Sequence, residues 1–291
     1  MRVILIGTVE STKITLNVMI NKNIKPLLIT LPHYYSYRHS DFVDLREICK
    51  ENNIEIVETP NINSKDTIDI IKKYNPDYLF VIGWSQIVNN EILIIPKRGS
   101  IGCHPAPLPK NRGRGVIPWT ILQKSKITGT TLFWLDEGVD SGDIFIQKKF
   151  PVEPNETAKT LYKKHSEILL DLLNEAFKLI EENNTPRIPQ DHSQATYCAK
   201  RTPEDGFINW YLPAEDIWTL IRAVTEPYPG AFTFYNEKKL IIWEADYIGD
   251  SPYCGLPGQI QKISDSGIYV SCGDGKILLL KNKVRFFYDL F

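Results

Sequence analysis

Short apolar runs alternate with helically spaced stretches early in the chain. Arg2–Ile6 is apolar and stops at Gly7, and the Thr-Leu-Asn-Val-Met-Ile stretch after it has helical spacing, which predicts a first strand and helix. Lys25–Leu31 repeats the strand, Phe42–Asn52 reads as a helix, Ile54–Val57 as a strand and Asp66–Tyr74 as a helix. Tyr78–Ile82 is nearly continuously apolar, as a central strand should be, and Gly99–Cys103 follows as the next. Strand then helix, repeatedly, predicts an α/β fold with a Rossmann-like parallel sheet covered on both faces. In such sheets ligands sit beyond the carboxyl ends of the strands, so Gly83-Trp84-Ser85-Gln86 and His104 are expected at one crevice.

The pattern then changes twice. Ala158–Glu182 carries leucines and isoleucines at helical spacing, with His165 read as a surface or packing residue; from Thr185 the chain turns polar and proline-bearing. From about Gly230 short runs alternate (Ala231–Tyr235, Lys239–Tyr247, Gly258–Ile263, Ile268–Cys272, Lys276–Leu280), with Gly273-Asp274-Gly275 as a hairpin turn. These predict a small β-barrel or sandwich. A length of 291 residues fits two domains, one larger and one smaller; we divide the chain into a larger domain over 1–203 and a β-rich domain over 204–291.

Composition narrows the function classes. A net charge of −1 without a long basic run argues against a surface built to hold nucleic acid. The five cysteines are scattered, no pair has metal-ligand spacing, and reduced thiols are expected. No signal-like or membrane-length apolar segment is found, which reads as a cytoplasmic chain with no membrane partner. The Gly7 turn lacks the three-glycine dinucleotide fingerprint, so a nicotinamide cofactor is not expected. The aromatic run VRFFYDLF would suit self-association as a homodimer.

Two stretches carry candidate chemistry. In IGCHPAPLPKNRGRGVI a histidine at the end of an apolar run is followed by prolines, arginines and glycines, a composition that fixes a loop and predicts that His104 is presented rather than buried. In LDEGVDSGDIF, Asp136, Glu137, Asp140 and Asp143 crowd a glycine-punctuated turn. Cys103 adjoins the histidine, but neighbours in an extended segment point to opposite sides. A third stretch, PHYYSYRHSD, is a polar-aromatic loop whose three tyrosines, Arg38 and two histidines could stack on a base and hold phosphate, with Tyr35 and Arg38 as candidate substrate-binding residues.

His104, Leu108-Pro109, Arg112-Gly113 and Asp140-Ser141-Gly142 resemble the signature of the folate-dependent formyltransferases. TYCAKRTPEDGFINWYL and IRAVTEPYPGAF resemble the wording that closes the catalytic domain in the methionyl-tRNA and sugar enzymes of that family, and set the chain apart from the glycinamide ribonucleotide enzymes. The resemblance implies a catalytic pair, His104 and Asp140, and 10-formyltetrahydrofolate as formyl donor held by Gly83, Trp84, Ser85, Gln86, Ile87, Asp136, Gly138 and Val139. It further implies substrate binding by Arg112, Gly113 and Arg114; the two arginines equally suit bracing the loop through carbonyl hydrogen bonds. No metal is expected. The C-terminal strands then become a reduced version of the family's appended β-barrel.

Formyl transfer needs a deprotonated amine, a place for the tetrahedral oxyanion and a proton for the departing folate nitrogen. A histidine oriented by a carboxylate can move those protons. The family's oxyanion-donating asparagine, two residues before the histidine, is Gly102 here, with Asn111, Ser85 and Gln86 as candidate replacements. The expected acceptor is a nucleotide-linked amino-deoxysugar (UDP- or dTDP-linked) of bacterial surface glycan biosynthesis. The rivals are methionyl-tRNA formylation, formylfolate hydrolysis and a non-catalytic folate or nucleotide-sugar binding module.

Overall fold

The structure, a computed structural model, describes residues 1–281 and the backbone of Arg285 and Phe286. The side chains of VRFFYDLF, read above as a self-association surface, lie outside the described residues. The chain divides into two compact units: one of Met1–Val116, Ile127–Pro151 and Lys163–Cys198, the other of Ile117–Lys126, Val152–Tyr162 and the chain from Ala199 onward.

In chain order the elements are β1 (Val3–Ile6), α1 (Glu10–Asn21), β2 (Leu27–Thr30), α2 (Arg46–Glu51), β3 (Ile56–Glu58), α3 (Lys65–Tyr74), β4 (Tyr78–Val81), α4 (Asn90–Leu93) and β5 (Gly99–His104). They continue with β6 (Arg112–Gly113), α5 (Val116–Leu122), β7 (Ile127–Trp134), β8 (Ile144–Pro151), α6 (Ala158–Glu181), β9 (Tyr197–Cys198) and α7 (Ala214–Val224). The helix expected over Phe42–Asn52 is only the short α2. His33–Arg38, within the aromatic loop, is a 3-10 helix with no buried residue.

The first unit is built on a seven-stranded sheet ordered β3-β2-β1-β4-β5-β7-β8. Its first five strands are parallel, as the alternation predicted. The last two pairings, β5 with β7 and β7 with β8, are antiparallel; β7 runs against the other six strands and returns into β8 through the short 135–143 turn with no crossover helix between them. The residues of β1 show how both faces are covered. Val3 and Leu5 enter one apolar cluster with Leu16 and Met19 of α1, Cys49 of α2 and Leu172, Leu173 and Phe177 of α6. Ile4 and Ile6 enter the other with Ile68 and Ile71 of α3 and Ile92 of α4. A strand buried on both faces must be apolar at every position, which is why β1 reads VILI.

The second unit adds β10 (Ala231–Tyr235), β11 (Lys238–Ile242), β12 (Ala245–Gly249), β13 (Ile260–Ser264), β14 (Gly267–Ser271), β15 (Ile277–Leu280) and β16 (Arg285–Phe286). They form two antiparallel sheets, β10-β11-β16 and β12-β15-β14-β13. The single strand expected over Lys239–Tyr247 is two strands in different sheets, divided at Trp243-Glu244. The carbonyls there are drawn elsewhere, Trp243 accepting from Thr225 Oγ1 and Glu244 from Lys281 N.

Candidate active site

β5 delivers His104 to the carboxyl edge of the sheet, where it pairs in register with Thr131 of β7. The loop behind it is held down by hydrogen bonds from β7 and β8. Thr131 Oγ1 donates to the Ala106 carbonyl at 2.7 Å, and Gln147 Nε2 donates to the Leu108 carbonyl and to Thr131 Oγ1, both at 2.9 Å. His104 is consequently 6% exposed. The expectation of a presented histidine is corrected, because the proline-bearing loop folds back over the strand end instead of standing away from it.

The imidazole has an acceptor on each side. Nε2 donates to the Asn111 carbonyl at 2.7 Å, and Nδ1 lies 3.6 Å from Asp140 Oδ2. With the ring proton assigned to Nε2, the Nδ1 lone pair of a neutral ring faces the carboxylate, and a proton taken up there lies between the two groups. Asp140 belongs to the turn joining β7 to β8 and takes a left-handed backbone, φ 50°, which Asp tolerates better than most residues. Its Oδ2 also accepts from Gly113 N at 2.8 Å. Gly113 itself has φ 101°, and a Cβ there would run into the Cys198 carbonyl, so the glycine is required for this amide to reach the carboxylate. The structure thus brings together His104 and Asp140, distant in sequence, as the signature implied.

Arg112 and Arg114 have different surroundings. Arg112 is 2% exposed, and its guanidinium donates to Gln190 Oε1 (Nη2, 2.7 Å; Nε, 3.2 Å), to Tyr197 Oη at 3.1 Å and to His192 Nδ1 at 3.1 Å. Of the two roles left open for it, this geometry matches bracing, through side chains rather than carbonyls. Arg114 is exposed and donates to the Ser85 carbonyl. Gln190 was not singled out from the sequence. It lies in a polar stretch far from either signature, with no local pattern to mark it.

At the tip of β4, Gly83 has φ 76°, Trp84 Nε1 is buried with no hydrogen-bond partner among the described residues, and Ile87 is exposed. Gln86 is committed, its Oε1 accepting from Ile62 N and its Nε2 donating to the Pro60 carbonyl. Ser85 Oγ bonds His39 Nε2 at 3.2 Å; burial of that ring, chiefly, pulls its pKa below the ordinary value. In the turn after β7, Asp136 Oδ1 accepts from Gly138 N and Ser141 Oγ, leaving Val139 exposed. In the aromatic loop the Arg38 guanidinium stacks 4.3 Å over the Tyr35 ring and donates to the Pro60 carbonyl.

Two further readings can be placed. The Cys103 thiol is pushed up to about 12 by burial and then by Asp140, so it does not supply a thiolate at neutral pH. All five cysteines are free. At Gly102 a Cβ would stand 2.7 Å from Leu135 Cδ2 and 3.1 Å from Phe133 Cε1; the space beside the backbone at this position is taken by Leu135. Among the described residues no cluster of metal-binding side chains occurs and no helix is long and apolar enough to cross a membrane.

Residues 11–176 match the formyl transferase family, and residues 200–285 match the formyl transferase C-terminal domain. The chain belongs to the formyl transferase family, and it is a formyltransferase. It is 31% identical over 282 residues to the methionyl-tRNA formyltransferase of Acetivibrio thermocellus, covering 96% of this chain and 90% of that protein. It is 33% identical over 292 residues to the methionyl-tRNA formyltransferase of Clostridioides difficile, covering 98% and 94%. Among solved structures, WlaRD, a sugar 3N-formyl transferase in the presence of dTDP and 5-N-formyl-THF, superposes with a TM-score of 0.70 at 20% identity, over 97% of this chain and 98% of that one. At that identity the likeness speaks for the fold. The expectation that nucleic acid is excluded as a partner does not stand on the charge balance alone, since the sequence relatives carry names that specify a tRNA.

Proposed function

We propose that this chain transfers a formyl group from 10-formyltetrahydrofolate to a primary amine, with 1–203 as the catalytic domain and His104 and Asp140 as the reacting pair. The observation that carries the reading is the imidazole held between the Asn111 carbonyl and Asp140 Oδ2 at a strand's carboxyl end. As the amine nitrogen attacks the formyl carbon, its proton passes to Nδ1, where Asp140 stabilises the imidazolium. The bond from the formyl carbon to the folate nitrogen then breaks, and that nitrogen takes the proton held on Nδ1, which returns the imidazole to its neutral form. Asn111 O and Gly113 N keep ring and carboxylate in place throughout. The donor would be held by Gly83–Ile87 and the 136–139 turn. Trp84 Nε1, which has no partner among the described residues, and the exposed Ile87 and Val139 suit a ligand with both polar and apolar edges.

For the acceptor, the amine of methionyl-tRNA is the reading that the sequence relatives support, at 31% to 33% identity over nearly the whole chain. The second reading, the amine of a nucleotide-linked amino sugar, is favoured by the charge of −1 with no long basic run. It also draws on the aromatic loop with Tyr35 and Arg38, and on the fold shared with WlaRD. The test is to supply the protein and 10-formyltetrahydrofolate with initiator methionyl-tRNA, then with UDP- and dTDP-linked amino sugars, and follow tetrahydrofolate release and the formylated product. Turnover with the tRNA alone sinks the sugar reading, and turnover with a sugar nucleotide alone sinks the tRNA reading. Tetrahydrofolate release without any amine would make the protein a hydrolase instead.

A further inference from the structure

We infer that Gln190 is a positioning residue for the His104–Asp140 pair, using one side-chain amide to hold the 104–115 loop and the 135–143 turn in a fixed relation; this rests on the role proposed for that pair. Its oxygen accepts from Arg112 Nη2 at 2.7 Å and Nε at 3.2 Å. Its nitrogen donates to the Asp140 carbonyl at 3.0 Å and the Gly142 carbonyl at 2.6 Å. One loop is thus gripped by the acceptor end of the amide and the other by the donor end. Gln190 is 5% exposed and Arg112 2%, so water does not readily substitute at either end, and a lost bond leaves a buried group unsatisfied.

The chemistry of the amide matters more than its bulk. His104 and Asp140 have no close bond to each other, their atoms standing 3.6 Å apart. Their spacing is inherited from Asn111 O and Gly113 N on one loop and from the left-handed backbone of Asp140 on the other. Gln190 bonds the carbonyl of that same left-handed residue. Arg112 adjoins both Asn111 and Gly113 in sequence, so anchoring its guanidinium anchors the two backbone groups that touch the pair. A residue offering only an acceptor would satisfy Arg112 and repel the Asp140 and Gly142 carbonyls; a residue with neither function would release both loops.

Gln190→Glu makes the first of these changes and Gln190→Met the second at similar size. We expect each folded variant to lose about tenfold or more in kcat while KM for the formyl donor moves less than about twofold. We also expect the acid limb of the rate profile, and the NMR titration midpoint of the His104 ring, to shift in both. A brace that only stabilises the fold would lower the melting temperature and leave kcat per folded molecule, the profile and the His104 midpoint where they were. Finding that in either variant overturns the inference. Should the parent turn over no amine acceptor at all, the proposed function fails while the His104 ring titration still decides this one. An unchanged midpoint would again count against Gln190.

Discussion

Two histidines in the first unit are buried almost equally, His104 at 6% and His165 at 5% exposure, and their surroundings could hardly differ more. His104 lies between a carbonyl and a carboxylate. His165, on α6, shares a hydrogen bond between Nδ1 and Thr130 Oγ1 at 2.8 Å, meets the Phe150 ring edge-on at 4.9 Å, and has an Nε2 with no partner among the described residues. Burial, reinforced by the charge of His104 itself, pushes the His165 pKa down to about 3. Burial of equal depth thus comes with different partners: acceptors face both ring nitrogens at the end of β5, whereas beneath Phe150 the Nε2 has none among the described residues.

The largest effect should separate these two sites. His104→Ala is expected to lower kcat/KM by about 10³, measured as formylation of whichever amine is accepted, while His165→Leu changes it by less than about threefold. Equal losses in the two variants would erase the distinction. Asp140→Asn comes next. It keeps an oxygen for Gly113 N but removes the charge beside Nδ1, and should cost about 10² in kcat with little change in KM for the formyl donor.

Stability separates a third position. Gly102 faces Leu135, and a methyl group there must displace Leu135 Cδ2 from 2.7 Å. Gly102→Ala is expected to destabilise by about 1–3 kcal/mol in denaturant unfolding. Leu135→Ala should relieve part of that cost in the double variant, giving a coupling on the order of 1 kcal/mol. Additive effects would mean that Leu135 is not what fills the asparagine's place.

Much of the fold was readable because its information is local. β1 declares itself through an unbroken apolar run, and the strand and helix alternation follows from spacing alone. His104, Arg112-Gly113 and Asp140 stand in short stretches that draw attention by composition, but it was the resemblance to the family signature that singled out Asp140 from Asp136, Glu137 and Asp143. What escaped depends on partners distant along the chain. The prolines after His104 suggested a loop standing in solvent, whereas Thr131 and Gln147, from β7 and β8, pull it down over the strand end. Arg112 suited either a substrate or a brace, and only the position of Gln190, 78 residues on, orients it inward. The antiparallel arrival of β7 was likewise hidden, because an apolar strand does not state its direction.

The effect that is smallest at neutral pH concerns the silent histidine and works through folding alone. His165 has a folded-state pKa of about 3 against 6.5 for the free side chain. The unfolded chain therefore binds its proton first as pH falls. The sign follows: this contribution to stability is fully present above pH 6.5 and is lost as the pH drops towards 3, at up to ~1.4 kcal/mol per pH unit. His165→Leu removes the titrating group and the unpartnered Nε2 while leaving Thr130 Oγ1 without this bond, so the two changes partly offset near neutrality. The measurable quantity is the difference in unfolding free energy between variant and parent across the acid range. That difference should move steadily in the variant's favour as the pH falls below 6.5. Asp44, held down at about 2 by its hydrogen bond from Arg46, loses its own contribution only below 3.8, and that loss cancels between the two proteins because His165 is not among its partners. A difference that stays flat with pH would show that the ring accepts its proton in the folded state after all, and the contrast with His104 would have to rest on something other than the supply of acceptors.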